Sequence, residues 1–92
     1  MSGSSNGAVE RVVRLPDGVD LHARPAGLLV RTAAAHGATV ILRSGEREAD
    51  ARSILQVMAL GATGGTELVV RASGDGASAA LDAVAGLLAT IG

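Results

Sequence analysis

None of the 92 residues is Phe, Trp or Tyr. A core without rings must be filled by Leu, Val, Ile, Ala and Met, so its elements must approach closely and interlock small side chains. The same absence removes the aromatic platforms on which ribonucleoprotein-type RNA readers stack bases. A chain this short makes one small domain with little stability to spare. Its formal net charge of −1 leaves no basic excess to hold a phosphate backbone, which argues against general nucleic-acid binding. Cysteine is absent as well. That excludes a disulfide framework, a thiol nucleophile and a zinc-finger site, and it fits a reducing cytoplasm.

Residues 1–8, "MSGSSNGA", are small and polar and read as a flexible tail, with the domain expected over residues 9–92. The tail lacks the basic stretch and apolar run of a signal peptide. No apolar stretch approaches the ~20 residues of a membrane span. The expectation is a soluble, cytoplasmic protein without membrane insertion.

Local patterns predict seven elements. "VERVVRL", residues 9–15, is β-rich and stops at Pro16-Asp17-Gly18, a turn signal. From Ala23 the period changes: Ala26, Leu29, Val30 and Ala33 share one helical face, and the helix is expected to stop at Gly37. Residues 38–44 and roughly 46–50 read as two strands around a turn at "SGE". A short helix starts at Ser53, where Ser53 and Gln56 have the spacing of a capping box. "ELVVRAS", residues 67–73, is a fourth strand. The last helix carries Leu81, Val84, Leu88 and Ile91 down one face, with Asp75 as its expected cap. The order β-α-β-β-α-β-α predicts an α+β sandwich with helices laid on one face of a sheet.

The stretch "GVDLHARPAG", residues 18–27, places His22, Arg24 and Pro25 where the first helix begins. The first amides of a helix have no internal acceptor, and the dipole adds roughly half a positive charge there, so the end attracts anions. That field disfavours imidazolium and leaves one ring nitrogen of His22 free as a nucleophile. A phosphoryl group on it would meet the backbone amides of Ala23 and Arg24, and the guanidinium of Arg24. Pro25 stiffens the first turn. From the residues alone a second reading stands beside this one, because Arg and Pro are ordinary residues at a helix start. His36, the other histidine, suits the negative end of the same helix. Two histidines and no cysteine leave no basis for a transition-metal site, and no cofactor is implied. The glycines at residues 61–65 lack the Lys-Ser/Thr that completes a P-loop.

"LHARPA", residues 21–26, followed by "RSILQVMALGA", residues 52–62, resembles the HPr family. These are the histidine-containing phosphocarriers of the bacterial phosphoenolpyruvate:sugar phosphotransferase system. The likeness covers about residues 9–91. It implies an open-faced β-sandwich, a four-stranded antiparallel sheet with three helices on one side. It implies that His22 is phosphorylated on Nδ1 (pros-phosphohistidine) by phosphorylated Enzyme I and hands the group to the A domain of a sugar-specific Enzyme II, with Arg24 steadying the phosphate. Ser53 matches the serine that a regulatory ATP-dependent kinase modifies in many Gram-positive relatives. Ile54, Leu55 and Met58 match the apolar patch that docks both partners, which leaves Val57 and Leu60 for the core.

Alternatives stay open at three places. Capping alone accounts for Ser53, and core burial is the simpler reading of Ile54 and Met58. Asp20 stands where relatives commonly carry Gly; its carboxylate repels an incoming phosphate, points away, or caps the helix. Arg52 and Gln56 replace a common Lys and Gly around Ser53. The implied function is a phosphocarrier, a relay substrate rather than an enzyme, expected to be a monomer. The alternatives are a regulatory adaptor controlled through Ser53, or a carrier for the nitrogen-related or dihydroxyacetone kinase branch.

Overall fold

The computed structural model describes residues 8–91. The tail expected over residues 1–8 falls outside them, apart from residue 8. The elements follow in the expected order: β1 Val9–Arg14, α1 Ala23–Ala34, β2 Thr39–Ser44, β3 Arg47–Asp50, α2 Ile54–Ala59, β4 Glu67–Ser73 and α3 Ala77–Thr90.

The strands form one antiparallel sheet in the order β1-β4-β2-β3. Period-two alternation divides its faces. Val40, Leu42, Leu68, Val70 and Ala72 are fully buried beneath the helices, with Leu29 from α1, Val57 from α2 and Val84 and Leu88 from α3. On the open face, opposite charges stand across from each other in register: Glu10 with Arg71, Arg14 with Glu67, Arg43 with Glu48. Such pairs favour this register over a one-residue slip, which would also turn the apolar face outward.

In α1, Ala26, Leu29 and Ala33 are buried as the spacing predicts, while Val30 is only half-buried. The helix ends at Ala34, three residues before the expected stop at Gly37. The His36 amide bonds back to the Ala33 carbonyl at 3.1 Å, so His36 lies in the turn that closes the helix.

Two capping expectations are corrected. Asp75 does not cap α3. The N-cap is Gly76, with φ of 76°, a left-handed conformation that glycine adopts without penalty, and no side chain caps the first turn. The preceding turn brings the Ala77 amide to the Gly74 carbonyl at 3.2 Å, which leaves Asp75 one residue too early and exposed. The box at α2 closes on one side only. Ser53 Oγ accepts from the Gln56 amide at 3.2 Å, but Gln56 Oε1 accepts from the Asp50 amide at 2.9 Å. The Ser53 amide is already bonded to the Asp50 carbonyl at 3.0 Å, so the glutamine reaches past it to β3. Finally, Ile91 is buried but lies beyond the end of α3, in extended backbone.

Candidate functional site

The site begins with the buried anchors of the loop between β1 and α1. Leu15 and Leu21 are sunk in the core, so the chain between them is held at both ends. The loop is also bonded to the α2–β4 turn: Leu15 donates to the Thr66 carbonyl at 2.9 Å, Gly65 to the Leu15 carbonyl at 2.9 Å, and Leu21 to the Ala62 carbonyl at 3.0 Å. Gly64 fits between these segments because it has no side chain. A Cβ there would stand 2.5 Å from the Gly18 nitrogen and 2.9 Å from the Pro16 oxygen.

One residue past Leu21 the chain enters α1. His22 is its N-cap, in extended backbone (φ −99°, ψ −160°), with an exposed side chain. The first helical bond runs from the Ala26 amide to the His22 carbonyl at 2.9 Å. The amides of Ala23 and Arg24 precede it, Pro25 has none, and no side chain caps them. The imidazole therefore sits at a helix end whose donors are open, which suits an anion held on the ring. Arg24 is exposed and, among the described residues, makes no ion pair.

The Asp20 carboxylate is engaged by the turn after α2. Its Oδ1 accepts from the Gly64 amide at 3.2 Å, and the Asp20 carbonyl accepts from the His22 amide at 2.9 Å. Asp20 does not cap α1; its carboxylate bonds the Gly64 amide instead.

The structure brings most of the sequence-predicted residues to one surface. His22 shares one shallow cleft with Arg24, Pro25, Leu28 and Ile91, and another with Met58, Leu21 and Ala62. Ile54 lies over α1, 3.9 Å from where a Cβ on Gly27 would be. Ile54, Leu55 and Met58 are 39%, 77% and 38% exposed, whereas Val57 and Leu60 are in the core. Ser53 sits at the start of α2, its hydroxyl engaged as a cap. Leu28, 36% exposed and beside His22 and Arg24, extends the apolar surface. Sequence reading passes over it, although its signal is there: an apolar residue off the stripe formed by Ala26, Leu29 and Ala33.

A separate groove on the open sheet face, lined by Glu10, Ile41, Arg43, Glu48, Val69 and Arg71, shares no residue with these clefts. Among the described residues no group of His, Cys, Asp and Glu is placed to hold a metal, and no helix is long and apolar enough to cross a membrane.

This arrangement defines a class. The imidazole lies in an open cleft beside exposed apolar side chains, the setting of a surface site rather than a buried one. The comparisons agree. The family model PTS-HPr, described as "PTS HPr component phosphorylation site", matches residues 9–90. Phosphocarrier protein HPr of Streptomyces coelicolor is 43% identical over 81 residues, covering 87% of each chain. The crystal structure of a phosphocarrier protein HPr from Bacillus anthracis is 29% identical and superposes with a TM-score of 0.85, covering 90% of this chain and 99% of that one. The crystal structure of an HPr dimer from Thermoanaerobacter tengcongensis is 31% identical, with a TM-score of 0.68 over 82% of this chain and 86% of that one. The chain belongs to the HPr family, the phosphocarriers of the phosphotransferase system.

Proposed function

We propose that His22 accepts a phosphoryl group on Nδ1 from phosphorylated Enzyme I and passes it to the A domain of a sugar-specific Enzyme II, in the cytoplasm. The observation that carries this reading is the exposed imidazole at the N-cap of α1, beside the uncapped amides of Ala23 and Arg24. In the transfer, the lone pair of an unprotonated Nδ1 attacks phosphorus. The bond from phosphorus to the donor atom of Enzyme I breaks, and its electron pair returns to that atom. The helix amides and the Arg24 guanidinium then hold the phosphate oxygens. Handing the group on reverses these steps with a new acceptor, so the carrier needs no metal or cofactor of its own.

Ile54, Leu55 and Met58 form the docking surface. Their exposure on a small domain, with Met58 in a cleft that His22 also lines, supports this role. Met58 adds a side chain that adapts to more than one partner. Residues 9–92 act as one carrier domain, working as a monomer because docking must leave this face free.

A second reading concerns Ser53. Ser53 stands in the chain between Arg52 and the exposed Ile54 and Leu55, so a phosphate placed there by a regulatory kinase brings charge to the edge of the docking surface.

Incubation with Enzyme I, phosphoenolpyruvate and Mg²⁺ tests the primary reading. The expected product is an acid-labile phosphoryl adduct that His22→Ala does not form. An adduct of the same yield on His22→Ala would sink it.

A further inference from the structure

We infer that Asp20 is a positioning residue for phosphoryl transfer, a latch that ties the His22 loop to the α2–β4 turn. The inference rests on His22 being the phosphoryl acceptor. Asp20 holds both sides at once: its carbonyl takes the His22 amide at 2.9 Å and its carboxylate takes the Gly64 amide at 3.2 Å. The two segments already touch backbone to backbone at Gly64 and Gly18, so a bond here fixes a short span rather than a long one. A glycine at position 20, as the resemblance leads one to expect, has no side chain to make this contact. The same bond keeps the carboxylate turned toward the Gly64 amide, although Asp20 lines both clefts that His22 lines. Small misplacements of a reacting group lower transfer rates steeply, so a latch two residues before His22 acts on rate rather than on docking. Its role is distinct from that of Leu21, whose amide bond and burial hold the loop whether or not Asp20 is present.

Asp20→Ala removes the acceptor, and Asp20→Asn keeps an oxygen in the same place without the charge. With Enzyme I and phosphoenolpyruvate, Asp20→Ala is expected to lower the maximal rate of His22 phosphorylation about fivefold, the size of one hydrogen bond, at unchanged KM. Asp20→Asn is expected at or above the wild-type rate. Amide exchange at Gly64 should quicken in Asp20→Ala and stay as wild type in Asp20→Asn. Equal rates for Asp20→Ala and wild type, or a loss in Asp20→Asn as large as in Asp20→Ala, overturns the latch. A wild-type protein that accepts no phosphoryl group overturns the functional reading first and the latch with it. Thermal unfolding of both variants near the wild-type midpoint separates either result from a folding defect.

Discussion

The Leu21 amide donates to the Ala62 carbonyl across 3.0 Å, so the residue just before His22 is pinned to the turn just after α2. This bond helps to join the two parts of the site, the histidine at the start of α1 and the apolar helix beside it. With Leu21 buried, neither part can drift without disturbing the core. His22 and the exposed apolar residues of α2 are therefore held at a constant spacing.

His22→Ala should abolish phosphorylation while leaving the fold intact. The side chain is exposed and caps no amide, so its loss is expected to change stability by no more than about 0.5 kcal/mol. Chemical denaturation alongside the phosphorylation assay checks both halves.

Arg24 separates charge from shape. Arg24→Ala should slow transfer, and Arg24→Lys should restore only part of the rate, because an ammonium lacks the planar fork that grips phosphate oxygens in pairs. Neither variant should alter the unfolding midpoint, since Arg24 makes no ion pair among the described residues. Full recovery in Arg24→Lys would show that charge alone suffices.

Within α2, neighbouring residues should behave oppositely. Leu55 is 77% exposed, so Leu55→Asp is expected to leave stability within about 0.5 kcal/mol and to weaken Enzyme I binding about tenfold or more. Val57 has no exposed surface, so Val57→Ala should cost about 2 kcal/mol of stability while leaving the docking surface in place. Denaturant titration and calorimetric binding distinguish the two patterns.

Ser53→Ala removes the acceptor of the Gln56 amide and should cost about 1 kcal/mol. Ser53→Asp keeps a good capping residue and adds a negative charge at the edge of the apolar patch, so it should preserve stability and weaken docking. If Ser53→Asp binds Enzyme I as wild type does, charge at this place does not regulate docking.

The order of elements is legible in the sequence because each is announced locally. Alternation in "ELVVRAS" predicts β4, and the spacing of Ala26, Leu29 and Ala33 predicts the buried face of α1. Val57 and Leu60 are assigned to the core only through the resemblance, which puts Ile54, Leu55 and Met58 in an exposed patch. Spacing alone leaves core burial as the simpler reading of Ile54 and Met58, yet both are more than a third exposed. Non-local contacts are where the reading falls short. Gln56 turns to β3 because the Ser53 amide is taken, and Asp20 turns to Gly64, 44 positions away in the chain. Neither partner leaves a mark near the residue concerned. Asp75 is misplaced for a different reason: a left-handed glycine displaces the start of α3 by one residue, and glycine at that position is compatible with several turns.

The most direct measurement is phosphorus NMR of the ¹⁵N-histidine-labelled protein after treatment with Enzyme I and phosphoenolpyruvate. The account predicts one phosphoryl group, coupled to Nδ1 of His22. A phosphoryl group on His36 instead, or none with an active cognate Enzyme I, would contradict it.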